Sequence, residues 1–143
     1  MSKVSQILAS KGGEVWSVAK DTSVFDSLAL MAKKNVGALL VLEEGGVLGI
    51  FSERDYARKV VLEGRSSKDT LVSEVMTEQV ITVEPDENIE SCMNKMSEHR
   101  IRHLPVIEEG KLRGIISIGD VVNFIIGEQQ FKIDQLENYI QGS

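Results

Sequence analysis

The sequence predicts an α+β (α/β) fold made of two β-α-β-β-α repeats packed with pseudo-twofold symmetry, and three observations lead there. Sliding the chain against itself by 65 residues lays Val15–Val61 on Val80–Ile126 without a gap, and thirteen of the forty-seven pairs are identical. Within each copy, short β-branched runs alternate with apolar residues at helical spacing. The 143 residues are 42% hydrophobic and 27% charged, enough for a core that two small units share and that neither would bury alone. Identical pairs include Val15/Val80, Val18/Val83, Asp21/Asp86, Met31/Met96, Ser52/Ser117 and Asp55/Asp120.

Each unit opens on a short strand, Val15-Trp16-Ser17-Val18 in the first copy and Val80-Ile81-Thr82-Val83 in the second. Polar residues suited to capping follow, Asp21-Thr22-Ser23 and Asp86-Glu87-Asn88. Val24, Leu28 and Met31, or Ile89, Met93 and Met96, then predict a helix. Ala38–Leu42 and Leu104–Ile107 are apolar runs joined through Glu-Glu-Gly to Val47–Phe51 and Leu112–Ile116, a hairpin whose glycine supplies the turn. Ser52 and Ser117 mark the change to a closing helix at Glu53–Leu62 and Ile118–Ile126. The organisation is therefore a first copy with a short opening helix at 1–64, a linker at 65–79, a second copy at 80–127 and an amphipathic helix at 128–143. Phe131, Ile133, Leu136 and Ile140 give that last helix an apolar face, to cover either this chain's own core or a second subunit.

Charge and cysteine content narrow the function. Lys+Arg is 16 against Asp+Glu 22, a net charge of −6, which opposes non-specific binding to nucleic acid or an anionic membrane. The single cysteine, Cys92, forms no intramolecular disulfide, and no run approaches the ~20 apolar residues of a membrane span. A cytoplasmic protein is expected.

The chemistry concentrates at the strand-to-helix junctions, GIFSERD (Gly49–Asp55) and GIISIGD (Gly114–Asp120). In each, a hydroxyl and a carboxylate stand three residues apart on the first turn of a helix, whose free N–H groups favour anions, while the aspartate can accept two hydrogen bonds from a ribose diol. The same residues would serve simply as helix caps. Arg100-Ile101-Arg102-His103 is the densest cationic stretch, and Arg102 and His103 are suited to phosphate. Gly37 and Ala38 hold the matching positions of the first copy and offer backbone without charge. Catalysis is not expected: Cys92 and His99 lie roughly 10 Å apart along one helix, Ser52 has no histidine in its motif, and no metal cluster or phosphate-binding glycine loop occurs.

Taken together, the gapless repeat, the two units each closing in G-[IV]-[IFV]-S-x-x-D, and RIRHLPV (Arg100–Val106) resemble a pair of cystathionine-β-synthase (CBS) domains, also called a Bateman module. The resemblance spans nearly the whole chain. It implies a non-catalytic sensor that binds AMP, ADP, ATP or NAD(H), with S-adenosylmethionine less favoured, in two clefts between the copies, and that forms a homodimer. No cofactor is required, and the output passes to a regulated partner protein. Carried over, the first cleft would use Asp55 on the ribose, Ser52 and Arg54 nearby, Val15 and Trp16 around adenine, and Arg102 and His103 on phosphate, making it the better equipped. The second would use Asp120 and Ser117, with Val80 and Ile81 around the base and Gly37 and Ala38 on the phosphate side. Leu40 stands where the family often has proline. The alternative is a constitutive structural dimer, a scaffold with degenerate sites.

Overall fold

The computed structural model describes residues 2–44 and 46–142, so Gly45 of the first expected hairpin turn lies outside the described residues. The chain divides into two compact units: Glu14–Ile81 with Glu109–Leu112, and Met1–Gly13 with Thr82–Glu108 and Arg113–Ser143.

In the unit built on Glu14–Ile81, strand β1 (Ser17–Ala19) lies parallel to β2 (Ala38–Glu43), which pairs antiparallel with β3 (Gly46–Ser52). The parallel pairing requires a crossover, supplied by helix α2 (Val24–Lys34). Ser23 starts that helix by accepting a hydrogen bond from the Asp26 amide at 3.0 Å, and Asn35 stops it at φ 54, the left-handed conformation that asparagine tolerates. One sheet face and α2 enclose Val24, Met31, Leu39, Val41 and Phe51. The buried Ser27 hydroxyl is satisfied by donating to the Ser23 carbonyl at 2.9 Å. Beyond β3 come one helical turn, α3 (Glu53–Asp55), and a π-helical stretch, Tyr56–Val61, that sends Val60 into the core.

The second copy repeats these devices at the same 65-residue offset. Asn88 caps α5 (Ile89–His99) by accepting from the Ser91 amide at 2.7 Å, and Arg100 ends it at φ 55. Strands β4 (His103–Glu108) and β5 (Lys111–Ser117) form the hairpin, turned by Glu109 and Gly110 at φ 50 and 76. The closing helix and the tail helix expected at Ile118–Ile126 and 128–143 are one 25-residue helix, α6 (Ile118–Gly142).

One expected strand needs correction. Val80–Val83 is not a strand: only Val83 makes a parallel bridge, to Val106. In the first copy the Leu40 amide donates to the Trp16 carbonyl at 3.2 Å and lengthens the pairing. The matching residue in the second copy is Pro105, which has no N–H to give.

The opening helix, α1 (Val4–Lys11), belongs to the unit of the second copy. Its Val4 and Ser5 amides donate to the carbonyls of Glu87 and Pro85, both at 2.9 Å. The linker behaves reciprocally. It contains a short helix, α4 (Val72–Val75), and puts Val72 and Val75 into the core of the first copy, with the Val72 amide on the Thr22 carbonyl at 2.8 Å. Each copy is thus completed by an arm that precedes the other copy in the chain. The bridges Lys3↔Asn88 and Ser23↔Leu71 put the arms 68 residues apart, while the bodies keep 65.

Candidate functional site: two serine/aspartate junctions

Both junctions are built on the same plan. At Ser52 the backbone is still extended, and its Oγ accepts from the Asp55 amide at 3.2 Å, while Asp55 Oδ2 accepts from the Ser52 amide at 3.0 Å. At the second junction, Ser117 Oγ accepts from the Asp120 amide at 3.1 Å, and Asp120 Oδ2 from the Ser117 amide at 2.8 Å. These reciprocal caps satisfy amides that a helix start leaves open. The next amide is also used in both copies: Glu53 donates to the Gly37 carbonyl at 3.1 Å, and Ile118 to the Arg102 carbonyl at 2.8 Å.

The aspartates differ in what else holds them. Asp55 is buried, and its Oδ1 takes the Thr77 hydroxyl at 2.9 Å and the Lys59 ammonium at 3.1 Å, while the Ser52 hydroxyl adds to Oδ2 at 3.1 Å. Both carboxylate oxygens are engaged by the protein. Thr77 is brought there by the linker arm, whose backbone bonds twice with Ile50 of β3. Gly49 allows that approach, because a Cβ there would stand 2.7 Å from Met76 Sδ and 2.8 Å from the Thr77 carbonyl.

Asp120 is more open, its side chain 24% exposed against 9% for Asp55. The Ser117 amide and the Lys11 ammonium, at 2.7 Å, both fall on Oδ2, and Lys11 is pinned by a second bond to the Ile115 carbonyl at 2.7 Å. Burial works to raise the Asp120 carboxyl, but Lys11 and the Ser117 amide outweigh it and hold the group below the usual carboxylate value. His103, half-buried, lies within the electrostatic reach of Asp120, Lys11 and Arg102. Burial lowers its pKa, Asp120 opposes this, and Lys11 and Arg102 reinforce it; the outcome lies below the ordinary 6.5, so the ring is neutral at pH 7.

The remaining expected residues are placed as follows. Arg102 is exposed, as is Arg54 on the turn after Ser52. Gly37 is half-buried with its carbonyl in use, and Ala38 is buried opposite Ser52 in the sheet. Val15, Val80 and Ile81 are half-buried. Trp16 packs against the core of its unit, with the Lys34 ammonium 4.2 Å from its ring centroid. The structure brings Ser117, Asp120, Arg102 and His103 together in one unit and, in the other, joins Ser52 and Asp55 with Gly37 and Ala38. The sequence pattern missed Lys11 and Thr77, because both lie on arms outside the gapless repeat. Cys92 is fully buried and its thiol is pushed up to about 11 by burial, with help from Glu87, so it is an inert core residue. Among the described residues no acidic, histidine or cysteine cluster could hold a metal, and no helix is long and apolar enough to cross a membrane.

Two copies of one unit, each closed by a Ser/Asp junction, define a tandem module. The CBS-domain family model matches twice, at residues 4–62 and 72–127, and the chain belongs to that family. It is 41% identical over 97% of its length to the CBS domain-containing protein CBSX3, mitochondrial, of Arabidopsis thaliana, and spans 72% of that protein. It is 31% identical to YhcV of Bacillus subtilis, covering 91% of this chain and 85% of that one. A solved protein with CBS domains from Burkholderia ambifaria superposes with TM-score 0.87 at 51% identity, covering 90% of this chain and 96% of that chain. Stand-alone CBS domain proteins are generally regulatory rather than catalytic.

Proposed function

We propose that this chain is a non-catalytic sensor of an adenosine phosphate (AMP, ADP, ATP or NAD(H)) whose bound state alters its contacts with a partner protein, and that the Asp120 junction is the working ribose site. The observation that carries this is the contrast between the two carboxylates. Asp55 has both oxygens occupied by its own protein, so a ribose diol would have to displace Thr77 and Lys59. Asp120 holds its internal bonds on Oδ2, which leaves Oδ1 to accept a diol hydroxyl. Lys11, Arg102 and His103 supply cationic or protonatable groups beside it, which suits phosphate and disfavours the positively charged sulfonium of S-adenosylmethionine.

Titration calorimetry of the full chain with AMP, ATP, NADH and S-adenosylmethionine tests the reading. Binding of a phosphate-bearing ligand, lost in Asp120→Asn and retained in Asp55→Asn, is expected. Loss in Asp55→Asn alone, in protein that remains folded, would move the ribose site to the first junction. The saturation of Asp55 favours one second reading, a constitutive scaffold with degenerate sites. It predicts no thermal shift with any nucleotide, whereas ligand at 100 times its Kd stabilises a fold by roughly 2.7 kcal/mol.

A further inference from the structure

We infer that a phosphate-bearing nucleotide, in seating at the Asp120 junction, takes up a proton from solvent at His103, so that the site answers to pH as well as to its ligand. This rests on Asp120 being the ribose site and adds what regulates it.

The geometry gathers four groups within one unit. Asp120 stands on the first turn of α6, with the Lys11 ammonium of α1 on its Oδ2 at 2.7 Å. The Ile118 amide donates to the Arg102 carbonyl at 2.8 Å, which ties the residue before His103 to that same turn. His103 opens β4 and Ser117 closes β5, the two strands of one hairpin, so the histidine is brought to the Ser/Asp cap from two directions. Two of the four groups are uncommitted. Among the described residues no hydrogen bond holds either ring nitrogen of His103, and no carboxylate pairs with the Arg102 guanidinium.

Charge balance supplies the coupling. Burial, together with the surplus of one positive charge that Lys11 and Arg102 have over Asp120, keeps the His103 ring neutral at pH 7. A nucleoside monophosphate carries about two negative charges and turns that surplus into a deficit. A proton on His103 closes the deficit and gives the ring a second N–H for a phosphate oxygen. Asp120 does not titrate alongside it. Against burial, Lys11 and the Ser117 amide hold its carboxyl below the usual carboxylate value, so it stays ionised where histidine changes charge. The coupling belongs to this junction alone: at the 65-residue offset, Gly37 and Ala38 stand in place of Arg102 and His103, and neither titrates.

Linkage is reciprocal, so a ligand that favours the proton is favoured by it to the same degree. Affinity therefore rises as pH falls toward the His103 range, which lies below 6.5 in the free chain, and levels off once the ring is already charged.

Titration calorimetry of the full chain with AMP, in phosphate-free buffers of different ionisation enthalpy, counts the protons taken up. The same titration on His103→Gln, on His103→Asn as a second uncharged replacement, and with adenosine in place of AMP isolates the ring and the phosphate. AMP itself titrates near pH 6, but does so against every chain, so the difference between parent and variant belongs to His103. The parent should take up a measurable fraction of one proton more than either variant, and adenosine should draw none. From pH 7.5 to 5.5 the parent's affinity for AMP should gain about three- to tenfold on that of the variants, tenfold corresponding to a shift of one pKa unit. Equal proton counts in parent and variants, or an uptake as large with adenosine, would overturn the coupling while AMP binding, lost in Asp120→Asn, still upholds the ligand reading. No AMP binding at any pH would remove both.

Discussion

Asp55→Asn separates a structural carboxylate from a ligand-binding one. In the parent, the two oxygens of Asp55 accept from the Ser52 amide and hydroxyl, the Thr77 hydroxyl and the Lys59 ammonium. Asparagine keeps the shape but offers one acceptor and one donor, so its NH2 must face groups that are themselves donors. Turned either way, it breaks one side of this cluster. Hydrogen bonds to a charged group contribute about 1.5–3 kcal/mol each. The Lys59 pair adds at most about 1 kcal/mol, because that lysine is 44% exposed and solvent screens it. A loss of roughly 2–4 kcal/mol follows, which for a chain of this size lowers the unfolding midpoint by about 10 °C. Asp120→Asn keeps an amide oxygen for the Ser117 N–H and loses mainly the partly exposed Lys11 ion pair, worth at most about 1 kcal/mol. The assay is thermal unfolding by circular dichroism of both variants beside nucleotide calorimetry. If Asp55→Asn unfolds within a degree or two of the parent, the reasoning about its saturated carboxylate fails.

Other outcomes follow from the same geometry. The folded state holds His103 below its ordinary value and so binds fewer protons there than the unfolded chain. Its contribution to stability is therefore present above pH 6.5 and is lost as pH falls through 6.5 toward the lower folded value. Melts between pH 5 and 8 should show this slope, flattened in His103→Gln; an unchanged slope would remove His103 as its source. Gly49→Ala drives a Cβ into the Thr77 carbonyl at 2.8 Å, which backbone pairing holds fixed. The matching Gly114→Ala meets the mobile end of Leu8 at 2.8 Å. Urea titration should find the first costing about 1–3 kcal/mol and the second less, and equal costs would contradict the fixed position of the linker arm.

Much of this architecture is readable from residue spacing. The 65-residue offset carries the cap residues Ser23 and Asn88, the left-handed stops Asn35 and Arg100, and the Ser/Asp junctions, because each depends on side chains within a few residues of itself. What escaped the spacing is non-local. The loss of the second copy's first strand turns on a hydrogen bond that Pro105 cannot give to a residue 24 positions earlier. Lys11 reaches Asp120 across 109 residues, and Thr77 reaches Asp55 from a segment that reads as a polar connector. The two arms do resemble each other, Val4-Ser5 against Val72-Ser73, but at a different offset from the bodies, so a gapless comparison passes over them.

The exchange of arms also gives the two halves unequal histories as the polypeptide leaves the ribosome. The half built on Glu14–Ile81 has its strands, helices and arm within one short stretch, so most of its contacts can form early. The other half joins α1 to residues from Thr82 onward, and closing so long a loop is slow. Until then α1 must wait with Val4 and Ile7, fully or almost fully covered in the finished molecule, exposed to whatever else the nascent chain encounters.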